Sequence, residues 1–172
     1  SVTLCGYGEP MLHKEVYQIV QKLAESAFVE IVTNGDTLKA KSIVNLYNSN
    51  ANKLLISLYD GPEQLEKFNK LIKESGVPQD FVMLRDRWYN ANEDYGLKLT
   101  NRSGTINIGK QEELNKYTFC NYPAYSVMID WNGDVFLCPQ DWQRRVTMGN
   151  IMQEHFFEIW TGKNISKFRK NL

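Results

Sequence analysis

The sequence Val2-Thr3-Leu4-Cys5-Gly6-Tyr7-Gly8-Glu9-Pro10 joins a short apolar run to a loop that contains two glycines. An amphipathic stretch follows within a few residues, so this segment predicts a strand, a loop and a helix in succession. In parallel α/β folds, ligands bind at the carboxyl ends of the strands, and glycines let the backbone approach a ligand closely. By itself, the loop fits either a ligand-binding loop or a tight turn that a proline closes.

The alternation of strand and helix continues to about residue 85. Four short apolar runs predict strands, and stretches with apolar residues at helical spacing separate them. The predicted strands are Val2–Leu4, Val29–Thr33, Leu54–Leu58 and Phe81–Leu84, and the predicted helices cover residues 13–26, residues 37–48 and the segment after Pro62. Repeated βα units are typical of a parallel sheet with helices packed against it, so the predicted fold class is α/β.

The pattern changes after residue 85. Residues 86–109 are rich in Asn, Gly and aromatic residues without a clear period, which predicts a long connection. Within and after it, Ile106–Ile108 is a candidate strand and Gln111–Tyr117 a candidate helical segment.

The second half contains a clear hairpin pattern, residues 126–138. Asn132-Gly133 favours a two-residue type I′ turn, which would place Val127 opposite Cys138. A predicted helix near Gln153–Trp160 follows, and the basic cluster of Lys163, Lys167, Arg169 and Lys170 predicts a solvated helix face.

Charge and composition narrow the classes of function. The chain has 20 Lys and Arg against 20 Asp and Glu, so no overall field favours nucleic acid or an anionic membrane surface. The longest apolar runs are far shorter than the roughly 20 residues that a membrane helix needs. We therefore expect a cytoplasmic protein that binds neither nucleic acid nor membrane.

Three successive strand ends resemble those of the radical S-adenosylmethionine (SAM) enzymes. Gly6-Tyr7-Gly8-Glu9-Pro10 resembles the family's Gly-Gly-Glu-Pro loop, Thr33-Asn34-Gly35 resembles its Thr-Asn-Gly, and Ser57 to Gly61 resembles its fourth strand end. The resemblance implies a partial (βα) radical SAM barrel with parallel strands over residues 1–110.

The resemblance also implies which residues contact SAM. In that family the Gly-Gly-Glu-Pro backbone receives the amino group of SAM, and the fourth-strand serine reaches its carboxylate or ribose. The implied SAM contacts are Gly6, Tyr7, Gly8, Glu9, Pro10 and Ser57, with Asn34 as a further candidate. Arg85 is a candidate partner for the SAM carboxylate, and a surface role for it stays open.

Cys120, Gly133 and Cys138 are spaced as C-x12-G-x4-C, which resembles the opening of the SPASM and twitch domains that hold auxiliary [4Fe-4S] clusters. Met148-Gly149-Asn150-Ile151 and the Ile159-Trp160 pair extend the resemblance. It implies that Cys120 and Cys138 are cluster ligands in a small hairpin and helix domain over residues 111–172. Buried structural cysteines, a zinc site and a disulfide are the alternatives, whereas Cys5 predicts a small buried residue.

The family's C-x3-C-x2-C motif has no counterpart among the three cysteines. We therefore expect the middle of a longer enzyme, truncated at both ends and inactive by itself. The resemblance implies that the whole enzyme cleaves SAM reductively to a 5′-deoxyadenosyl radical, which abstracts hydrogen from a small-molecule or peptide substrate. A flavodoxin or ferredoxin is the implied electron donor. A non-catalytic scaffold or binding module with the same fold is the alternative.

Overall fold

The structure is a computed structural model that describes the backbone of residues 1–91, 94–97 and 120–171 and the side chains of residues 1–87 and 120–171. The chain divides into two compact units, Ser1–Lys98 and Leu99–Leu172. The predicted domain boundary between residues 110 and 111 lies outside the described residues and stays a prediction. So do the candidate strand Ile106–Ile108 and the candidate helical segment Gln111–Tyr117.

The first unit contains a four-stranded parallel sheet in the order β1-β2-β3-β4. The strands are β1 (Val2–Leu4), β2 (Val29–Thr33), β3 (Lys53–Leu58) and β4 (Val82–Asp86). Because all neighbours pair in parallel, the four carboxyl ends and the loops that follow them lie along one edge of the sheet. The predicted α/β class and the four strands are confirmed, with small shifts at the ends of β3 and β4.

Three helices cover one face of this sheet: α1 (Val16–Ala24), α2 (Ala40–Asn48) and α3 (Glu63–Ser75). Each presents one apolar stripe to the sheet, as the helical spacing predicted. Pro62 precedes α3 with a φ of −66°, a value that suits a helix start, and Gly76 ends the helix in the left-handed conformation. Fully buried members of the shared core include Val20, Ile31, Ile43, Leu54, Ile56 and Phe68.

Strand β3 is buried on both faces, as the central strand of a parallel sheet should be. Leu54, Ile56 and Leu58 belong to the core beneath the helices. Because side chains alternate along a strand, Leu55 and Ser57 point to the opposite face. Ser57 is therefore buried on the face of the sheet that the helices leave uncovered.

The predicted long connection after residue 85 was wrong at its start. Strands β5 (Trp88–Ala91) and β6 (Asp94–Leu97) form a separate antiparallel pair, with Trp88 opposite Leu97 and Ala91 opposite Asp94. Each strand has only four residues, which is too short for an apolar alternation to be recognised in this sequence.

The second unit combines three short helices with a three-stranded antiparallel sheet. Its elements are α4 (Tyr122–Tyr125), β7 (Met128–Ile129), β8 (Asp134–Phe136), β9 (Thr147–Asn150), α5 (Phe156–Thr161) and α6 (Lys163–Lys170). A small core of Val135, Leu137, Met148, Ile159 and Ile165 holds them together. This confirms the predicted hairpin and helix, while β9 was not predicted. None of the helices among the described residues is long and apolar enough to cross a bilayer.

The hairpin turn differs from the predicted two-residue type. Met128 pairs with Phe136 and Ile129 with Val135, which is one residue away from the predicted pairing of Val127 with Cys138. The Asp130 N–H donates to the Asp134 carbonyl at 2.9 Å, and the Gly133 N–H donates to the Asp130 carbonyl at 2.9 Å. These bonds, with Gly133 at a φ of +86°, define a three-residue loop in which one glycine takes the left-handed position.

Candidate functional site

The loop of residues 6–10 follows β1 at the carboxyl edge of the parallel sheet. Gly6 has a φ of +128°, which favours glycine for conformational reasons alone. Gly8 differs, because its φ lies outside the left-handed region and a Cβ added there would meet no atom within 4 Å. A tight turn therefore explains Gly6 and leaves Gly8 without a structural requirement. A group that approaches this backbone closely would provide one.

The Glu9 carboxylate links this loop to the end of β2. Its Oε1 accepts from the Met11 N–H at 2.9 Å and from the Thr33 hydroxyl at 2.7 Å, and its Oε2 accepts from the Asn34 N–H at 2.9 Å. Glu9 also caps the short 3-10 helix Pro10–Leu12. Both oxygens of this predicted SAM contact are thus engaged within the protein.

Thr33 is a site residue that sequence reasoning left out. Its side chain is 2% exposed, and its Oγ1 accepts from the Gly35 N–H at 3.0 Å while it donates to Glu9. Asn34, the next residue, is half-buried, and its Oδ1 accepts from the Asp36 N–H at 3.0 Å. The Thr-Asn-Gly pattern was the available signal, but only tertiary structure shows that the threonine carries the link.

Ser57 and Arg85 lie side by side at the ends of β3 and β4, where the two residues are paired in register. Ser57 is 2% exposed, and its Oγ has no hydrogen-bond partner among the described residues. A buried hydroxyl without a partner costs free energy, and a bound ligand that accepts its hydrogen bond would remove this cost. Arg85 is exposed and belongs to the same face of the sheet as Ser57.

The loop after β3 is held by one side chain of α3. Gln64 Oε1 accepts from the Tyr59 N–H at 2.8 Å and from the Asp60 N–H at 3.1 Å, and its Nε2 donates to Asp60 at 2.7 Å. Gly61 completes the loop with a φ of +108°. The third strand end is therefore ordered by its own contacts.

Cys5 does not have the environment that was predicted for it. The residue is exposed overall, not a small buried residue. Its thiol is nevertheless desolvated by neighbouring atoms, and this desolvation, with the nearby Glu30 carboxylate, raises the pKa of Cys5. The thiolate is the nucleophilic form, so Cys5 is held in its less reactive state at neutral pH.

The two cysteines of the second unit are both free thiols, Cys120 exposed and Cys138 half-buried. The disulfide and the pair of buried structural cysteines are therefore not observed. Cys138 Sγ accepts a hydrogen bond from the Gln140 N–H at 3.4 Å, and the Asp141 N–H donates to the Cys138 carbonyl at 3.1 Å. Among the residues with described side chains, no three His, Cys, Asp or Glu come together as a metal site.

The loop that follows Cys138 is fixed by two carboxylates. Asp141 Oδ2 accepts from the Val146 N–H at 2.9 Å, which closes the loop ahead of β9. The Asp130 side chain is 9% exposed and accepts from the Arg144 Nε at 2.7 Å. Arg144 has a φ of +54°, an unusual conformation for a residue with a side chain, and this ion pair helps to hold it.

Asn150 ties β9 to the hairpin turn. Its Nδ2 donates to the Asn132 carbonyl at 3.1 Å and to Asp134 Oδ1 at 2.8 Å, and the Ile151 N–H donates to the Gly133 carbonyl at 2.9 Å. A Cβ on Gly133 would lie 2.9 Å from Asn150 Oδ1. The glycine of the C-x12-G-x4-C pattern and the asparagine of Gly-Asn-Ile are therefore parts of one turn.

Arg169 departs from the predicted solvated basic face. Its Nε donates to the Pro123 carbonyl and its Nη1 to the Trp160 carbonyl, both at 2.8 Å. The guanidinium also lies 3.9 Å from the centre of the Trp160 ring, within range of a cation–π interaction. Arg169 thus fastens α6 to α4 and α5, and only the lysines of this cluster remain exposed.

Two features of the chain identify the class of protein that it resembles. The first unit has a parallel βα sheet with a glycine-containing loop at its carboxyl edge, and the second unit has a cysteine-bearing hairpin. In both respects the chain is similar to the radical SAM proteins that carry a SPASM-type domain. Residues 120–172 match the SPASM family, an iron-sulfur cluster-binding domain.

Individual relatives agree with this class. The chain is 29% identical over 171 residues to the S-adenosyl-L-methionine-dependent 2-deoxy-scyllo-inosamine dehydrogenase of Niallia circulans, covering 96% of this chain and 64% of that protein. It is also similar to the crystal structure of BtrN in complex with AdoMet and 2-DOIA, with a TM-score of 0.77 and 26% identity over 99% of this chain and 65% of that one. A structure of BtrN in an open conformation has a TM-score of 0.64 at 23% identity, over 96% of this chain and 61% of that one, and supports the fold alone. The chain spans slightly less than two thirds of the length of each relative.

Proposed function

We propose that this chain supplies SAM-binding strand ends and part of an auxiliary cluster site in a radical SAM dehydrogenase that acts on a small molecule. The reaction type is the one in the name of the Niallia circulans relative. A peptide substrate is the other possibility that the resemblance implies. SAM and its catalytic cluster, when bound, would supply the 5′-deoxyadenosyl radical for hydrogen abstraction.

Ser57 is the observation that carries this proposal. Its hydroxyl is buried and lacks a partner among the described residues. Ser57 is the second-last residue of β3, at the carboxyl edge of the sheet. A carboxylate or ribose hydroxyl of SAM would satisfy it, at the position where the family resemblance implies that contact. Gly8 gives independent support, because the space beside it leaves room for a ligand at the backbone.

The remaining residues have simple roles in this site. The backbone of residues 6–10 offers carbonyl groups to an ammonium group. Arg85, next to Ser57 on the neighbouring strand, offers a cation to a carboxylate. The uncovered face of β3 and β4 would exclude water from one side of the bound molecule.

The two cysteines of the second unit fit part of a cluster ligand set. A [4Fe-4S] cluster is commonly held by four thiolates, and Cys120 and Cys138 provide two. The Gln140 N–H directed at Cys138 Sγ suits a thiolate ligand, whose charge such a bond stabilises. The chain has three cysteines and no C-x3-C-x2-C triplet, so we do not expect it to cleave SAM without thiolates from outside this sequence.

The partners follow from the chemistry. Reductive cleavage of SAM consumes an electron, so we propose a flavodoxin or ferredoxin as donor, and a cytoplasmic location where such donors occur. The balanced charge of the chain supports the expectation that neither nucleic acid nor a membrane is a partner.

SAM titration of the chain, followed by NMR, tests the site. We expect SAM to shift the amide resonances of residues 6–10 and Ser57, and Ser57→Ala to weaken binding about tenfold, as for loss of a hydrogen bond to a charged group. The same substitution removes an unpartnered buried hydroxyl, so it should leave the free energy of unfolding unchanged or raise it by about 1 kcal/mol. Absence of any SAM-dependent shift at these positions would refute the SAM site and favour a non-catalytic scaffold.

A further inference from the structure

We propose that the Glu9 side chain is a positioning residue that couples the loop of residues 6–10 to the Thr33-Asn34-Gly35 turn, and that SAM affinity depends on this coupling. The inference rests on the proposed function, since both segments belong to the proposed SAM site. It assigns to the Glu9 carboxylate a role other than direct contact with the cofactor.

The geometry shows two loops joined by one carboxylate. Met11 belongs to the 3-10 helix that follows the loop of residues 6–10, whereas Thr33 and Asn34, at the end of β2, are 24 and 25 residues from Glu9 along the chain. The three donor–acceptor distances lie between 2.7 and 2.9 Å, the range of charge-assisted hydrogen bonds. The pairing of β1 with β2 ends at Leu4 and Ile31, so the strand ladder itself does not extend into the two loops.

A second bond extends the coupling to Gly35. A hydroxyl has one proton, and the Thr33 hydroxyl donates it to Glu9, so its lone pairs are turned toward other donors. The Gly35 N–H is the donor that they meet, at 3.0 Å. The orientation of the Thr33 side chain, and with it the turn, thus depends on an acceptor at Glu9.

The pattern requires an acceptor on both carboxylate oxygens. A glutamine at position 9 has the same shape, but its Nε2 group can only donate. If the amide oxygen keeps the hydrogen bonds from Met11 and Thr33, Nε2 faces the Asn34 N–H. Two donors then oppose each other, and no hydrogen bond forms between them. In the opposite orientation Nε2 faces the Met11 N–H, and the Thr33 hydroxyl must change from donor to acceptor, so Glu9→Gln loses at least one of the three bonds in either arrangement.

The experiment measures amide hydrogen exchange and SAM binding in the same variants of the chain. Glu9→Gln should speed exchange about tenfold at Asn34 or, in the opposite orientation of the amide, at Met11, and weaken SAM binding by a similar factor, as expected for losing a bond to a charged group. Glu15→Gln is the matched control, because Glu15 is an exposed carboxylate six residues away that makes no side-chain capping bond. It should change neither quantity.

Thr33 variants test the coupling from its other end, which keeps the test available if Glu9→Gln does not fold. Thr33→Val removes the hydroxyl without changing the volume, so exchange at Gly35 should become faster and SAM should bind more weakly. Thr33→Ser keeps the hydroxyl and should restore both values toward those of the original chain.

Three results would overturn the proposal. Unchanged exchange at both Asn34 and Met11 in Glu9→Gln would show that the bonds do not couple the loops. Faster exchange with unchanged SAM affinity would make the link structural only. Weaker SAM binding with unchanged exchange would mean that Glu9 contacts SAM directly. An original chain that does not bind SAM would instead refute the proposed function, and the role of Glu9 with it, while the exchange data would still report the link.

Discussion

Replacement of Gly35 by alanine should destabilise the first unit strongly, because two separate requirements meet at this residue. Gly35 has a φ of +79°, and a Cβ placed there would lie 2.6 Å from Phe68 Cε1 and 3.0 Å from Ile56 Cγ2. Phe68 is fully buried beneath the sheet, so its ring cannot move aside without disturbing the core.

The expected cost is the sum of both requirements. A left-handed conformation costs an alanine about 1–2 kcal/mol relative to glycine. Overpacking a close-packed core by one methyl group costs about 1–3 kcal/mol more. Gly35→Ala should therefore lower the free energy of unfolding of the first unit by about 2–5 kcal/mol.

Gly76→Ala separates the two terms. Gly76 ends α3 with a φ of +68°, close to that of Gly35, but an added Cβ meets nothing within 4 Å there. Its cost should be the conformational term alone, about 1–2 kcal/mol.

Urea unfolding followed by NMR peak intensities of β2 and α3 gives both values, with an unchanged denaturant slope as the check that the unfolded state is the same. Equal losses in the two variants would refute the packing of Phe68 under this turn. A loss in Gly76→Ala that exceeds the loss in Gly35→Ala would refute the reasoning altogether.

Three further predictions concern other parts of the chain. Gly8→Ala should change the free energy of unfolding by less than about 0.5 kcal/mol, yet weaken SAM binding, which urea unfolding and NMR titration measure together; a large loss of stability would contradict the open space beside Gly8. Asn150→Ala should destabilise the second unit by about 0.5–1.5 kcal/mol, because it removes the hydrogen bonds that tie β9 to the hairpin turn, and a second unit as stable as the original would argue against that role. Cys5 should be alkylated by iodoacetamide more slowly than Cys120 at pH 8, as measured by mass spectrometry. Glu30→Gln should accelerate the alkylation of Cys5, because it removes one of the causes that raise the pKa of this thiol. Since the folded chain holds the Cys5 proton to higher pH than the unfolded chain, this group makes stability fall as the pH rises past the ordinary value of 9.0.

Much of the fold could be predicted from local sequence. Each βα unit consists of consecutive residues, so its elements can be recognised locally. Apolar residues at helical spacing indicate the helix, and a short apolar run indicates the strand. Val29–Thr33 and Val2–Leu4 begin and end where they were predicted. The strand pair β5 and β6 was missed because its pairing lies in a segment with no apolar alternation to indicate it.

The hairpin of the second unit shows where local rules reach their limit. Asn132-Gly133 correctly predicted a turn, but a single added residue changes the turn from two residues to three and moves every pairing by one. Asn150, which lies 17 residues beyond Gly133 in the sequence, binds this three-residue turn from β9. Local propensity cannot include such a partner.

For the candidate site, sequence alone determined which residues meet at the carboxyl edge of the sheet, because the order of βα units dictates that strand ends share one edge. Only tertiary structure decided what each of them does. It showed that the Glu9 carboxylate is bonded to the turn after β2, that Ser57 is buried without a partner among the described residues, and that Gly8 has open space beside it. The physical reason is that hydrogen bonds and burial depend on distances between segments far apart in the chain, and a sequence pattern carries no distances.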